Sequence, residues 1–148
     1  MGLGEISVFV FFGIVATVGS YYVQVEELNL QIFIIAIPMG SIACAILAIN
    51  NLRDRAQDEL VGKKTLAVRL GDKGARRLYI SLLISAHLFA LLTFKPAAVL
   101  TLLAAPMTWK LARGVVSGVS GTDLIPFLAR TGKLQLVFAL LYALGLLL

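Results

Sequence analysis

The sequence predicts an all-α protein, a multi-pass transmembrane helical bundle of about five helices. Of its 148 residues, 59% are hydrophobic and only 14% are charged. A soluble domain is typically about half apolar and about a quarter charged. The apolar residues form runs close to the roughly 20 residues with which a helix crosses a bilayer. The basic residues alternate between connections in the manner that fixes membrane topology.

The apolar runs place the helices in one membrane domain over residues 1–148. The first precedes an acidic turn, and Gly13 and Gly19 within it can permit close helix approach. The second contains Pro38 and the fourth contains Pro106, which membrane helices tolerate because neighbouring helices satisfy the freed carbonyl groups. The Gly- and Ser-rich residues 114–121 predict a linker, and residues 123–130 a short interfacial helix. The five helices are predicted over residues 6–23, 30–49, 78–94, 96–111 and 134–148.

The charged residues orient these helices. The turn after the first helix holds Glu26 and Glu27 without a basic residue, and the turn after the third holds only Lys95. Residues 50–77, predicted as a loop, hold eight basic residues, and the connection after the fourth helix holds four. Basic connections stay cytoplasmic. We therefore predict a cytoplasmic motif loop and N-terminus and an external C-terminus. The net charge of +5 reflects this topology, so no nucleic-acid partner is predicted.

Residues 50–69 carry the chemistry. If the second helix continues past the membrane boundary, Asn50, Asp54 and Asp58 follow i, i+4, i+8 spacing and share one face, with Asn51 close to it. Like charges at this spacing repel, and carboxylates near a helix C-terminus oppose its dipole. A bound cation offsets both costs. Such oxygen ligands suit Mg²⁺, which usually takes one or two protein carboxylates, water and substrate phosphates.

Basic residues follow the acidic face. Lys63, Lys64 and Arg69 can neutralise phosphate oxygens, and Gly62 can turn the chain back toward the carboxylates. The alternative is a solvated mixed-charge segment in which Asp54 and Asp58 merely pair with Arg53 and Arg55. Spacing alone leaves the two interpretations about equal. Polar residues at the boundary of an apolar bundle favour the functional one.

The string NNLRDRAQDELVGKKTLAVRLG, residues 50–71, resembles the second aspartate-rich motif of the UbiA superfamily of membrane prenyltransferases. It is most similar to the MenA branch, the 1,4-dihydroxy-2-naphthoate polyprenyltransferases of menaquinone synthesis. The resemblance extends over the whole chain, including Tyr21 and Tyr22 in the first helix and the final residues 124–148. It implies the last five helices of a nine-helix fold in the bacterial cytoplasmic (inner) membrane.

The resemblance also implies residue roles. Asp54 and Asp58 would be the catalytic residues that bind Mg²⁺, helped by Asn50 or Asn51. The diphosphate of a polyprenyl diphosphate would be bound by Arg53, Lys63, Lys64 and Arg69. The aromatic acceptor, dihydroxynaphthoate, would take the prenyl group and lose carbon dioxide, with the isoprenoid tail along apolar faces open to the lipid bilayer.

The chain departs from the family pattern because the first aspartate-rich motif is absent, and its other acids are scattered. The resemblance therefore implies a fragment, a truncated product or half of a split enzyme, inactive without an N-terminal half. The rival hypothesis is a non-catalytic membrane remnant or subunit whose basic loop binds anionic lipid or a partner. The two hypotheses differ in what they predict when Asp54 and Asp58 are replaced with Asn. The lipid-binding hypothesis predicts stronger lipid binding, whereas the prenyltransferase hypothesis predicts loss of metal and diphosphate binding. His87 and Cys44 are predicted to serve packing.

Overall fold

The computed structural model describes residues 2–93 and 96–147, apart from the side chains of Pro96 and Ala97. Over these residues it is a helical bundle without strands, which confirms the predicted fold class. Four of its helices are long and apolar enough to cross a membrane, and α3, whose apolar part begins only after Arg77, is not among them. The helices are α1 (Gly4–Val25), α2 (Leu30–Leu60), α3 (Leu66–Leu91), α4 (Pro96–Ala104 as a 3-10 helix, then Ala105–Val116) and α5 (Gly121–Leu147).

Helices α1 and α2 touch at two glycines. The middle of α1, Phe9–Val15, is a π-helix, and Gly13 within it faces Gly40 of α2. A Cβ atom added at Gly13 would lie 2.6 Å from the Gly40 Cα atom, so the two backbones are in contact. The prediction of close approach is therefore confirmed for Gly13. It is wrong for Gly19, where an added Cβ would meet nothing within 4 Å.

Helix α2 is the centre of the bundle. Asn29 caps its N-terminus, since the side chain accepts a hydrogen bond from the Ile32 amide at 3.0 Å. Pro38 is buried inside the helix without ending it. The core that α2 shares with α3, α4 and α5 is built from small and large apolar side chains, among them Ile42, Ala45, Ile49, Tyr79, Ala104, Leu134 and Phe138.

The segment 50–77, predicted as a loop, is instead a helical hairpin. Helix α2 continues to Leu60, and α3 begins after Thr65, whose hydroxyl accepts a hydrogen bond from the Val68 amide at 3.3 Å. Gly71 interrupts α3 with φ 67° and ψ 177°. The prediction is wrong because hydropathy marks where a helix leaves the apolar layer, not where the helix ends. Beyond that layer, charged side chains along this segment pair with one another.

Other helix boundaries also differ from those predicted. Helix α4 continues to Val116, into the predicted linker, and residues 123–130 are the beginning of α5 rather than a separate helix. Pro106 stands near the start of the α-helical part of α4. The predicted ends of the third and fifth helices, Phe94 and Leu148, and the turn residue Lys95 lie outside the described residues.

His87 and Cys44, which are predicted to serve packing, both form hydrogen bonds inside the bundle. His87 shares a hydrogen bond between Nε2 and the Thr108 hydroxyl at 2.9 Å, and its ring lies edge-on to Phe138. Cys44 is buried, and its Sγ donates to the Glu5 carbonyl oxygen at 3.0 Å. Both observations agree with the packing roles predicted for them.

Candidate functional site

The hairpin between α2 and α3 carries the predicted acidic face. Asn50, Asp54 and Asp58 all lie on α2, so the i, i+4, i+8 spacing does place them on one helix face. The Asp54 carboxylate receives two hydrogen bonds from Arg53, from Nε and Nη2, each 2.7 Å long. The Asp58 carboxylate receives Lys63 Nζ at 3.1 and 3.3 Å. Each aspartate therefore has a cation of its own.

This pairing only partly matches the mixed-charge alternative. Arg53 does pair with Asp54, but Arg55 pairs with Glu59 at 3.2 Å rather than with a motif aspartate. Asp58 instead pairs across the turn with Lys63. The turn is made by Gly62 at φ 72°, and the Lys63 amide donates to the Asp58 carbonyl oxygen at 2.8 Å. The predicted reversal of the chain at Gly62 is thus confirmed.

The electrostatics keep the carboxylates charged. Asp54 lies beyond the apolar stretch of α2 that ends at Ile49, and the hydrogen bonds from Arg53 hold its pKa below the usual value. The charges of Arg53 and Lys63 also lower this pKa. Asp72 on α3 behaves similarly, because the hydrogen bonds from Arg76 lower its pKa. Asp54 and Asp72 are therefore ionised at neutral pH, the state that Asp54 needs for its predicted role as a ligand of a hard cation.

The two adjacent asparagines diverge. Asn51 is buried, and its Nδ2 donates to Glu5 Oε1 at 2.9 Å. Asn50 instead lines a cavity whose wall is mainly apolar. Glu5, which the sequence leaves as a scattered acid, therefore lies beside the motif although 46 residues separate it from Asn51. The only sequence signal is a carboxylate at the start of an apolar run without a nearby basic residue.

Two cavities flank this part of α2, and Leu47 lines both. The polar cavity has a volume of about 330 Å³, and its lining includes Glu5, Asn51, Lys63, Lys64 and Thr65. The apolar cavity has a volume of about 470 Å³, and its lining includes Val8, Phe12, Ile46, Asn50 and Leu128. Arg69 lies next to the polar cavity, since a Cβ added to the lining residue Gly2 would be 3.2 Å from Arg69 Nε.

The two carboxylates on one face of α2 fit the predicted magnesium ion. Among residues 2–93 and 96–147, no three His, Cys, Asp or Glu side chains are grouped so that they could hold a metal ion. Asp54 and Asp58 match the one or two carboxylates that Mg²⁺ usually takes from a protein. Asn51 donates to Glu5, so its predicted role as a metal ligand requires its carbonyl oxygen. The roles of Asn50 and Asn51 toward a metal stay predictions.

Comparison with known proteins now adds to this geometry. Residues 1–129 match the family model described as the UbiA prenyltransferase family. This chain belongs to the UbiA prenyltransferase family. The resemblance read from residues 50–71 is thus confirmed.

Individual relatives agree with the family assignment. The 1,4-dihydroxy-2-naphthoate octaprenyltransferase of Mycobacterium tuberculosis is 44% identical over 96% of this chain and 49% of its own length. The enzyme of that name from Escherichia coli is 42% identical over 99% of this chain and 49% of its own length. The chicken (Gallus gallus) UbiA prenyltransferase domain-containing protein 1 is 33% identical over 100% of this chain and 44% of its own length. The chain spans about half the length of these curated relatives. No solved structure matches it.

Proposed function

We propose that this chain forms part of a membrane prenyltransferase that transfers a polyprenyl group from polyprenyl diphosphate to 1,4-dihydroxy-2-naphthoate, with loss of carbon dioxide, in menaquinone biosynthesis. The observation that carries the proposal is the hairpin itself. It carries two aspartates, Asp54 and Asp58, on one face of α2 and turns back so that Lys63 pairs with Asp58. Lys63 and Lys64 line the polar cavity next to this turn. The two bacterial relatives described above support the choice of acceptor by their names.

The basic residues of the hairpin would bind the diphosphate. Lys64 and Arg69 have no acidic partner among the described residues and lie at the polar cavity. Their charges would offset the phosphate oxygens, and Arg69 can bind them in a bidentate manner. Arg53 and Lys63 each pair with a motif aspartate, and we propose that they shift toward the phosphate oxygens when substrate binds.

In the reaction, the bond between C1 of the prenyl group and the diphosphate oxygen breaks, and its electron pair leaves with the diphosphate. The acceptor ring forms the new carbon–carbon bond to C1, and the electrons of the bond to the lost carboxylate return to the ring. Asp54 and Asp58 would hold Mg²⁺, which supplies Lewis-acid stabilisation of the leaving diphosphate when bound. The residues of this chain hold the diphosphate and keep its charge balanced.

The surroundings suit an isoprenoid substrate. The apolar cavity adjoins the polar cavity at Leu47, so a prenyl group could extend from the diphosphate site onto apolar surface. We propose that the hairpin faces the bacterial cytoplasm, with the N-terminus on the same side and the C-terminus outside, because the hairpin carries most of the basic residues. Since the family resemblance implies two aspartate-rich motifs, we expect little activity from this chain without an N-terminal half.

Complementation tests the proposal. The chain would be expressed in a menaquinone-deficient bacterium, with and without the N-terminal half of a related enzyme, and menaquinone would be measured. We expect rescue only with both halves. Asp54→Asn and Asp58→Asn should each lower menaquinone by more than about 100-fold, since even the loss of outer-shell partners costs roughly 10–100-fold in metal sites. Glu59→Gln is the matched control, because Glu59 is exposed and pairs with Arg55 on the same helix.

The outcomes separate the two hypotheses. No rescue with both halves inserted in the membrane would overturn the transferase proposal, as would full activity of both Asn variants. The rival lipid-binding hypothesis predicts that the variants bind anionic vesicles more strongly, because each removes a negative charge from a basic surface.

A further inference from the structure

We propose that Glu5 is an acceptor-binding residue, whose carboxylate accepts a hydrogen bond from a ring hydroxyl of the aromatic acceptor in the polar cavity. This inference rests on the proposed function and assigns the second substrate to a position within the site. It follows from the burial of Glu5, from the lack of an ion pair to it among residues 2–93 and 96–147, and from the chemistry of the cavity wall.

Glu5 is a buried side chain that forms no ion pair within the part of the chain that the structure describes. Only 8% of the residue is exposed. Among the described residues its carboxylate receives one hydrogen bond, from Asn51, and no Lys, Arg or His nitrogen lies within ion-pair distance. A buried polar group is costly unless its hydrogen-bonding capacity is filled. Ionisable groups kept at such a cost within a membrane bundle commonly serve function.

Two hydrogen bonds, one to the backbone and one to the side chain, hold Glu5 against α2. Asn51 binds the side chain, and Cys44, two turns earlier on α2, donates to the Glu5 backbone carbonyl oxygen. Both contacts come from α2, so the start of α1 is fixed against the helix that carries the aspartate motif. Asn51 satisfies one carboxylate oxygen. The carboxylate therefore retains capacity to accept a hydrogen bond from a ligand in the cavity that Glu5 lines.

The cavity has the size and the donors and acceptors of a small-molecule site. Its volume of about 330 Å³ falls within the range of about 300–1,000 Å³ typical of such sites. The Glu5 side chain can accept a hydrogen bond from a hydroxyl group, which the dihydroxynaphthoate acceptor carries. Lys63 and Lys64 lie on the wall of the same cavity. A ring bound to Glu5 would therefore stand next to the diphosphate, where the two substrates must meet.

The decisive variant is Glu5→Gln. The glutamine oxygen can still accept the hydrogen bond from Asn51, so the internal contact is kept while the negative charge is lost. The full chain would be assembled with the N-terminal half of a related enzyme in lipid nanodiscs. Binding of 1,4-dihydroxy-2-naphthoate would be followed anaerobically by its fluorescence, and binding of polyprenyl diphosphate in parallel.

We expect Glu5→Gln to weaken acceptor binding by about 10–100-fold, the range for one hydrogen bond to a charged group. Binding of polyprenyl diphosphate should be unchanged. Glu27→Gln, in the exposed turn after α1, is the matched control and should change neither. Methylation of the acceptor hydroxyl groups should weaken binding to the wild type but make little further difference in Glu5→Gln.

Unchanged acceptor affinity in Glu5→Gln would overturn the inference. So would a selective loss of Mg²⁺ or diphosphate affinity, which would make Glu5 part of the metal site, or a failure of the wild-type assembly to bind the acceptor. Because these readouts measure equilibrium binding, they are separate from turnover. An assembly that binds the acceptor through Glu5 but transfers no prenyl group would contradict the proposed function and leave this inference standing.

Discussion

The contact between Gly13 and Gly40 gives a sharp test of how the start of the chain is held against the motif helix. Replacing Gly13 with Ala would place a methyl group 2.6 Å from Gly40 Cα and 3.1 Å from Gly40 N. Both are backbone atoms, so no side-chain rotation can relieve the clash. Carbon atoms pack at about 3.5–4.0 Å, and the two helices would therefore have to separate by roughly 1 Å.

The magnitude follows from this overpacking, which typically costs about 1–3 kcal/mol. Gly19→Ala is the matched control on the same helix, since an added Cβ there meets nothing within 4 Å. Replacing an interior helical glycine with alanine stabilises by about 0.5–1 kcal/mol. Both substitutions gain this helix propensity, so the same change six residues apart is expected to differ by the overpacking cost alone, about 1–3 kcal/mol, with Gly13→Ala the less stable.

The assay is unfolding in mixed detergent micelles with increasing dodecyl sulfate, followed by far-UV circular dichroism. Gly13→Ala should unfold at a lower dodecyl sulfate fraction than the wild type, and Gly19→Ala at an equal or higher one. Equal stability of Gly13→Ala and the wild type would refute the close contact between α1 and α2. Equal stabilisation by both substitutions would show that helix propensity, not packing, controls this region.

Two further predictions concern groups outside the aspartate motif. Arg76→Met removes the hydrogen bonds that Arg76 donates to Asp72 and to the Val115 carbonyl oxygen, and should lower stability by about 1–3 kcal/mol in the same unfolding assay. Folding lowers the pKa of Asp72, so its pairing with Arg76 stabilises the folded protein at a pH above the ordinary carboxyl pKa. This stabilisation is lost as the pH falls through the lowered pKa. Arg76→Met should therefore lose less stability on acidification than the wild type. Cys44 is 3% exposed and should react only slowly with a membrane-impermeant maleimide. The comparison is a Ser120→Cys variant in a Cys44→Ser background, whose exposed cysteine should react more than about tenfold faster. Equal rates would contradict the burial of Cys44.

The sequence predicts the helices better than their ends. Apolar runs mark the membrane layer, and four helices long and apolar enough to cross it appear among the described residues. The same criterion misplaces residues 50–60, since it treats the first charged residue as the end of a helix. These residues stay helical because their charges pair locally, as Arg55 does with Glu59 at i, i+4. Local pairing of this kind is visible in a sequence only after the helix has been assumed.

The site is predictable to the extent that it is local. Asp54 and Asp58 follow from helical spacing, and the return of Lys63 follows from Gly62. The position of Glu5 does not, because it depends on how α1 crosses α2. Gly13 contacts Gly40 at that crossing, and although the sequence indicates close approach at Gly13, it does not indicate the partner on α2.

The charges of the hairpin explain how one segment can serve both stability and substrate binding. Residues 50–77 contain eight basic and four acidic side chains. Each acidic side chain has one basic partner. Four cations then have no acidic partner among the described residues. Lys73 and Arg77 are exposed on α3 and suit topology, whereas Lys64 and Arg69 lie at the polar cavity. We therefore propose that the two interpretations of the basic segment, orientation and phosphate binding, apply to different residues of the same hairpin.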